Sequence, residues 1–344
     1  MLLEFYFINL WKSYCITHDE MIYVELPNEK QYRLTFYLAM EEYIAREFPA
    51  QEYFFIWQVD STVIFGRNQL VDSEVDVNYC RANNIQFYRR KSGGGCVFAD
   101  RSNLMLSYIT PDTNVNFTFN RYMLMVEHAL QKIGITARTT GRNDIVIDGR
   151  KVSGNAFYRL PKCSIVHGTM LYDTDVDAMV NATTPSSAKL KSKGVESVRQ
   201  RVTTVKEHIP ISIDDFKKSL RESLCDATVV LGGDDIKAIE ELSKEYYSNE
   251  FIYGNNPACT FSNVMRFDGV GEFKLDMEIR ENVIRRANLS GDFFIIGDID
   301  GALLSKLRGV PYTRSAVEEL LATVECGDLV MNLKKEQLIN LLTN

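Results

Sequence analysis

The sequence predicts an α+β protein with antiparallel strand pairing, from three features of its pattern. Four short strand-like segments follow one another between residues 135 and 172. Asp148-Gly149 separates two of them, and an Asp-Gly pair between apolar strands is a strong signal for a two-residue hairpin. Segments with helical periodicity precede and follow these strands. Because hairpins join antiparallel strands, the pattern argues against a doubly wound parallel sheet.

The first clear element is a helix at residues 32–48, where Leu34, Leu38 and Ile44 share one face and Pro49 ends the helix. Strands rich in aromatic and β-branched residues follow, together with one further helix. In chain order we expect strands at 53–65 and 86–90, a glycine-rich turn at 91–96, a strand at 104–110, a helix at 119–133, and strands at 135–139, 144–148, 151–159 and 164–172.

The C-terminal part has a different composition. Gly, Asn and Pro cluster at residues 248–259, which predicts a boundary between a main domain at 21–247 and a small α+β domain at 248–344. Residues 1–20 are expected to be an N-terminal extension from an upstream start codon, because Met21 begins a more ordinary opening; whether translation starts at Met1 or at Met21 stays open. The remaining expected elements are helices at 213–224, capped by Ser212 or Asp214, and at 234–247, a hairpin at Glu281-Asn282, and helices near 299–307, 315–322 and 334–343.

Bulk composition limits the classes of function. The net charge of −7 and the pI near 5.3 argue against nucleic acid as the main partner. No apolar run approaches the ~20 residues of a membrane helix. The seven cysteines show no CxxC spacing, which is typical of reduced thiols in a cytoplasmic protein and argues against a structural zinc site.

A glycine-rich turn is the first candidate site. Ser92, Gly93, Gly94 and Gly95 follow a strand that ends in two arginines at residues 89–90. Consecutive glycines let backbone N–H groups approach an anion, and the arginines could add charge-assisted contacts. A plain hairpin turn with solvated charges is the alternative.

A second cluster surrounds the Asp148-Gly149 turn. Asn143 and Asp144 could order a ribose, an adenine edge or a magnesium ion, or could simply favour a turn. Lys151 opens the next strand, and alternation places Lys151 and Ser153 on one face. A lysine at a strand start is usually solvated; the alternative is a fixed ammonium that polarises the carbonyl of a mixed anhydride.

Two further segments carry weaker signals. His167, Gly168 and Thr169 lie in a strand, where a histidine is more often a packed residue than a catalyst. The basic stretch at 189–202 reads as a solvated face or as a flap over ATP phosphates.

The order and spacing of these motifs resemble the lipoate–protein ligase family. The chain shows IFGRNQ (64–69), RRKSGGG-x-VF (89–98), GRND (141–144), GRKVSG (149–154) and HGT (167–169), followed by KGVESVRQRVT (193–203) and GDFF (291–294). The resemblance runs from about residue 21 to the C-terminus.

This resemblance implies a catalytic domain shared with biotin ligases and class II synthetase-like folds, with a mixed, largely antiparallel sheet flanked by helices. It implies that ATP and Mg²⁺ activate lipoate, or octanoate, to an acyl-adenylate. The acyl group then passes to a lysine on lipoyl domains of 2-oxoacid dehydrogenases or on the glycine-cleavage H protein. We expect a cytoplasmic monomer that binds neither nucleic acid nor membrane.

Site roles are carried over on matching motifs. Lys151 would hold the lipoyl carbonyl and the adenylate phosphate, and Asp144 would lie near the nucleotide and its metal. The other positions line the acyl and phosphate sites or form a phosphate flap. The lining positions are Arg90, Ser92, Gly93, Gly94, Gly95, Val97, Asn143, Ser153, Ala156, His167, Gly168 and Thr169, and the flap positions are Lys193, Arg199 and Arg201.

One departure and three alternatives stay open. The family usually has HD-x-GN after the glycine loop, and this chain has Ala99 in place of the histidine. An octanoyl or lipoyl transferase would use a cysteine three residues before the His-Gly, where this chain has Ser164, with Cys163 one residue away. A biotin ligase matches these motifs less well, and a non-catalytic relative that binds lipoyl domains is the third alternative.

Overall fold

The hairpin predicted at Asp148-Gly149 forms near one edge of the largest sheet. Asp148 and Gly149 both have positive φ, 50° and 77°, as a type I′ turn requires. The turn joins strands β8 (Asp144–Ile147) and β9 (Arg150–Leu160), which pair antiparallel. The expectation of antiparallel pairing is therefore confirmed.

The computed structural model describes residues 20–140, 143–183, 198–253 and 260–343. The predicted extension at 1–20 lies outside this part except for its last residue. The other strands are β1 (Met21–Glu25), β2 (Glu52–Trp57), β3 (Thr62–Phe65), β4 (Gln86–Arg89), β5 (Val97–Ala99), β6 (Asn103–Thr110), β7 (Ala137–Thr139), β10 (Cys163–Leu171), β11 (Ala227–Val230), β12 (Phe261–Phe267), β13 (Gly271–Arg280) and β14 (Val283–Gly291).

Eight of these strands form one mixed sheet in the order β11-β1-β2-β6-β10-β9-β8-β7. Strand β1 pairs parallel with β2 and β11, and the other neighbours pair antiparallel. The predicted fold class, a largely antiparallel mixed sheet flanked by helices, is confirmed. A small second sheet, in the order β4-β3-β5, carries the glycine-rich turn.

Helices cover both faces of the large sheet. They are α1 (Leu34–Glu47), α2 (Val71–Glu74), α3 (Val77–Ala82), α4 (Val115–Lys132), α5 (Val176–Ala182), α6 (Val198–Arg201), α7 (Ile213–Leu224), α8 (Gly233–Tyr246) and α9 (Asn249–Tyr253). Helices α1 and α8 contribute to one apolar core, and α4 and α7 contribute to the core on the opposite face. Ser212, and not Asp214, caps α7, because its Oγ accepts from the Asp215 N–H at 3.1 Å.

The C-terminal part has its own sheet and its own core. Strands β12, β13 and β14 form an antiparallel meander, and Glu281 and Asn282, both with positive φ, form its predicted hairpin. A π-helical segment at Asp300–Leu304 and four α-helices complete it. These helices are α10 (Ser305–Leu307), α11 (Arg314–Ala322), α12 (Cys326–Leu329) and α13 (Lys335–Thr343).

Two expectations need correction. The strand expected at 53–65 is two strands in different sheets, β2 and β3, because the chain turns at Asp60-Ser61 between them. The helix expected at 119–133 begins four residues earlier, at Val115, since the side chain of Asn114 accepts from the Phe117 N–H and caps it.

The hairpin turn makes a testable prediction. We expect Gly149→Ala to lower the free energy of unfolding by about 1 kcal/mol, because φ of +77° is strained for alanine. Gly233→Ala is the matched control, since Gly233 opens α8 without positive φ and a Cβ there meets no atom within 4 Å. Denaturant unfolding of both variants checks the prediction, and equal losses of stability would contradict it.

Candidate active site

A buried arginine organises the glycine loop, residues 92–95. Arg90 donates from Nε to Ser92 Oγ at 2.9 Å and from Nη2 to the carbonyl oxygens of Gly93 and Gly95, both at 2.7 Å. Its Nη1 donates to the carbonyl of Ile64 at 3.0 Å. Burial lowers the pKa of Arg90 to about 10. The guanidinium of Arg90 is thus engaged in shaping the loop, and its expected contact with an anionic ligand stays a prediction.

The Arg89 guanidinium is also buried and bonded to the protein backbone. Its pKa is likewise lowered by burial to about 10. All of its hydrogen bonds described here go to backbone carbonyls, so it joins the loop after β3 to helix α9 and does not present a free charge to a ligand. The acceptors are Gly66, Arg67, Gln69, Phe251 and Ile252.

A chain of buried hydrogen bonds leads from the glycine loop into the core. Ser92 Oγ lies 2.7 Å from His167 Nε2, and His167 Nδ1 lies 2.9 Å from Glu41 Oε2. Glu41, which is 0% exposed, also accepts from Ser107 Oγ at 2.6 Å, and Ser107 accepts from Trp57 Nε1 at 2.8 Å. The structure thus brings the predicted Ser92 and His167 together.

Sequence reasoning missed Glu41, Ser107 and Trp57 in this network. Glu41 could have been identified in the sequence, because it lies in the middle of an otherwise apolar helix face. Carboxylates are seldom fully buried without a partner, so its position indicates a buried polar partner.

The backbone of the glycine loop has both used and free donors. Gly94 N–H donates to the carbonyl of Phe293 at 3.2 Å. Within the described parts of the chain, the N–H groups of Gly93 and Gly95 have no protein acceptor. Successive free N–H groups in a tight turn form a concavity suited to anions, so two of the three glycines retain the predicted capacity.

Lys151 and Asp144 form an ion pair across the predicted hairpin. Lys151 Nζ lies 2.7 Å from Asp144 Oδ1, and both side chains are partly exposed. Nζ and Cε would lie 2.5 and 2.7 Å from a Cβ on Gly154, so the lysine folds over a position that only glycine leaves open. Gly154 pairs with Thr169, whose Oγ1 accepts from the Gly154 N–H at 3.3 Å.

The ion pair and the glycine loop lie on the same face of the sheet. His167 and Thr169 are two residues apart on β10, which places their side chains on one face, about 7 Å apart along the strand. Gly154 and Ala156 lie opposite them on β9. The ammonium of Lys151, over Gly154, therefore lies on the face where His167 meets Ser92.

Ser153 does not share this face. The register shifts between Ile145 and Val146, which pair with Ser153 and Lys151, so Val152 is an extra residue and strict alternation fails. Ser153 is fully buried, and its Oγ accepts from Asn155 Nδ2 at 3.1 Å. The expectation that Lys151 and Ser153 act on one side is wrong.

The remaining predicted positions fall into two groups. Val97 in β5 is partly buried, and Ala156 lies directly opposite His167. Asn143 and Gly168 serve the sheet: the carbonyl of Asn143 accepts from the Asn155 N–H at 2.9 Å, and a Cβ on Gly168 would overlap the Asn155 amide. These contacts show that Asn143 and Gly168 support the packing of strand β9 within the sheet.

Arg201 is the one described side chain of the predicted flap. The next residues join it to the site, because the Thr203 N–H donates to the Lys151 carbonyl at 2.9 Å. Arg201 Nε is buried and has no acceptor among the described residues. Burial lowers the pKa of Arg201, and the nearby Asp144 carboxylate opposes this effect. Lys193 and the side chain of Arg199 lie outside the described part of the chain.

Ala99, where the family usually has histidine, is fully buried in β5. The turn after it is well formed without the histidine. Asp100 Oδ1 accepts from the Ser102 N–H at 2.9 Å, Asp100 Oδ2 accepts from the Asp175 N–H at 3.2 Å, and Asn103 is buried at the start of β6.

Comparison with known proteins matches both parts of the chain. Residues 34–225 match the model of the lipoyl protein ligase A/B catalytic domain, and residues 256–342 match that of the bacterial lipoate protein ligase C-terminus. The chain is 35% identical to lipoate–protein ligase 1 of Staphylococcus aureus, over 90% of this chain and 96% of that protein. It is 32% identical to lipoate-protein ligase LplJ of Bacillus subtilis, over 94% and 100%.

The chain belongs to the lipoate–protein ligase family. The family resemblance noted in the sequence is thereby confirmed. Among solved structures, a bipartite lipoate protein ligase from Thermoplasma acidophilum aligns with a TM-score of 0.62 at 27% identity, over 71% of this chain and all of that one. A lipoate-protein ligase A bound with ATP aligns with a TM-score of 0.59 at 25% identity, over 67% and 98%. P. falciparum LipL1 shares the fold, with a TM-score of 0.76 over 94% and 98% of the two chains at 18% identity.

Neither a metal cluster nor a membrane span is found in the described residues. No group of three or more His, Cys, Asp or Glu side chains that could hold a metal ion occurs there. No helix in the same residues is long and apolar enough to cross a membrane.

The role of Arg90 makes a second prediction. We expect Arg90→Lys to destabilise the ligase by about 2–4 kcal/mol, because an ammonium cannot reach four acceptors on different sides and leaves buried carbonyls unpaired. Arg67→Lys, at an arginine that is 52% exposed, is the matched control and should change stability by less than about 0.5 kcal/mol. Equal effects in denaturant unfolding would contradict the assignment.

Proposed function

We propose that this ligase joins lipoate to ATP to form lipoyl-AMP and then passes the lipoyl group to a lysine of a lipoyl domain. A lipoate carboxylate oxygen attacks the α-phosphorus and pyrophosphate leaves; the acceptor amine then attacks the acyl carbonyl and AMP leaves. The relatives named lipoate–protein ligase and the similar ATP-bound ligase support this function. The observation that carries it is the Lys151–Asp144 pair on the face where Ser92 meets His167.

In this proposal Lys151 stabilises negative charge. The ammonium would contact the acyl carbonyl oxygen and the α-phosphate, where charge develops in both half-reactions. The Asp144 carboxylate lies 2.7 Å from this ammonium and is its ion-pair partner. Asp144 also fixes the direction of a flexible side chain, so less ordering remains to be done when substrates bind.

Anion binding is assigned to the backbone and to Arg201. The N–H groups of Gly93 and Gly95 and the Nε of Arg201 are donors without an acceptor in the described parts of the chain, and we propose the adenylate phosphates as their acceptors. Lys193 and Arg199 are proposed to extend this basic surface. The acyl chain would lie along Val97 and Ala156 and be bordered by His167, Gly168 and Thr169. Arg90, Asn143 and Ser153 are proposed to hold the backbone of the site in place through hydrogen bonds within the protein.

Magnesium fits the site as a companion of ATP. Asp144 is the acidic side chain beside Lys151, and Mg²⁺ is commonly held by one or two carboxylates, waters and substrate phosphates. Asp144 would therefore supply one protein ligand, with the nucleotide supplying the others. When bound, the ion neutralises phosphate charge.

Partners and location follow from the same proposal. The acceptor is proposed to be a lipoyl domain of a 2-oxoacid dehydrogenase or the glycine-cleavage H protein, and lipoate or octanoate the acid. We propose a cytoplasmic monomer; none of the five described cysteines forms a disulfide, as is usual in reducing compartments. We also propose domain limits at 21–247 and 248–344.

No observation favours the thioester route of a transferase. Cys163 is buried, its thiol donates to the Ala45 carbonyl at 3.6 Å, and burial raises its pKa. A raised pKa disfavours the thiolate that nucleophilic attack requires. Ser164, at the position of the transferase cysteine, is also buried.

The catalytic proposal is tested with Lys151→Ala. We expect lipoate-dependent ATP–pyrophosphate exchange to fall by at least about 10²-fold, in the range for losing a donor to a developing oxyanion. The mass increase of a lipoyl domain should fall equally. Lys162→Ala, at an exposed lysine of the next turn, is the control and should keep full exchange. Wild-type exchange rates in Lys151→Ala would exclude the role assigned to Lys151.

Gly154→Ala tests the placement of the ammonium without removing it. The new Cβ would lie 2.5 Å from Lys151 Nζ and would push the side chain away from Asp144. We expect exchange activity to fall by about 10- to 100-fold, since displacement by about 1 Å can cost this much.

Cys163→Ser should retain exchange and transfer; loss of transfer alone in that variant would favour the thioester route.

A further inference from the structure

The C-terminal part contacts the glycine loop directly. A Cβ on Gly93 would lie 2.5 Å from the carbonyl oxygen of Phe293, and a Cβ on Gly94 would lie 3.1 Å from Cε1 of Phe294. The Gly94 N–H donates to the Phe293 carbonyl at 3.2 Å. The absence of side chains at Gly93 and Gly94 therefore has a reason besides ligand access: it lets the segment Phe293–Phe294 lie against the loop.

The two phenylalanines point into different cores. Phe293 stacks on Phe273 with centroids 4.2 Å apart, within the C-terminal core. Phe294 is 3% exposed and stacks on Phe157 at 5.6 Å, with Phe119 at 6.3 Å, within a core of the large sheet. Phe293 thus anchors the segment in its own domain, and Phe294 extends into the domain that carries Lys151.

The glycine loop has protein on its other side as well. A Cβ on Gly66 would overlap the carbonyl oxygen of Gly94, and the Arg67 N–H donates to the Ser92 carbonyl at 2.9 Å. The loop is therefore held between the segment after β3 and Phe294. The segment after β3 is also joined to the end of β14, because the Gly291 N–H donates to the Asn68 carbonyl at 2.8 Å.

We propose that Phe294 is a positioning residue for the ligase reaction. Its ring closes one side of the glycine loop and so fixes the directions of the Gly93 and Gly95 N–H groups and of Ser92. Phe294 does not touch the reacting atoms; it acts through Gly94. This inference rests on the proposed function, because the adenylate of that function is the ligand that the positioned loop would bind.

Phe294→Ala tests the proposal in the full-length chain. We expect kcat of lipoate-dependent ATP–pyrophosphate exchange to fall at least about tenfold at a temperature well below unfolding, because misplacement by about 1 Å is costly. Phe294→Leu, which keeps much of the bulk, should recover activity to within about threefold of wild type. Leu303→Ala is the matched control, since Leu303 is buried in the C-terminal core away from the loop.

The controls separate the possible results. If Phe294→Ala and Leu303→Ala lose stability and activity alike, Phe294 is structural only and the inference is wrong. If Phe294→Ala does not fold, Phe294→Leu and Phe294→Tyr decide. Full activity in both variants supports the proposal. A tenfold loss of activity in Phe294→Leu at unchanged stability contradicts the claim that the bulk of the side chain positions the loop. An inactive wild type would refute the proposed function and not the packing argument.

Discussion

The burial of the Arg90 guanidinium is the interaction on which the site depends. Placing a cation in the interior is costly unless its donors are satisfied, and here four of the five N–H groups have acceptors, three of which belong to the loop itself. The carbonyls of Gly93 and Gly95 are drawn toward the guanidinium. Their N–H groups have no acceptor among the residues that the structure describes, and Ser92 is held where its hydroxyl meets His167.

The position of Lys151 depends on a second local feature, the bulge in β9. In a regular strand its ammonium and the Ser153 hydroxyl would share a face, and one of them would be misplaced. The extra residue, Val152, enters the core, while the lysine side chain reaches across Gly154 to Asp144. Bulges recur next to active sites because they redirect one side chain without disturbing the rest of the sheet.

Sequence patterns predicted those parts of the fold that local chemistry determines. Helix α7 has the expected bounds, and both two-residue hairpins form where Asp148-Gly149 and Glu281-Asn282 predicted them. Turn and cap residues act within a few positions of themselves, so a single sequence reveals them. The division of 53–65 into strands of two different sheets depends on pairing partners distant in sequence, which local pattern does not contain.

The site could be predicted only in part for the same reason. Motif order located Lys151, Ser92 and His167. It could not show that Arg90 is enclosed by carbonyls, because a buried and a solvated arginine look alike in sequence. Nor could it show the packing of Phe294 on Gly94, since these residues are 200 positions apart and meet only when two cores form.

Amide hydrogen exchange of the loop glycines tests the central claim most directly. The Gly94 N–H should be protected in the free protein, since it donates to Phe293, whereas those of Gly93 and Gly95 should exchange faster. Adding a non-hydrolysable lipoyl-adenylate analogue should then protect Gly93 and Gly95 by about tenfold or more, as expected for amides that gain an anionic acceptor. Unchanged exchange at both glycines, with the analogue bound at saturation, would contradict the claim that Arg90 shapes this loop to receive the adenylate.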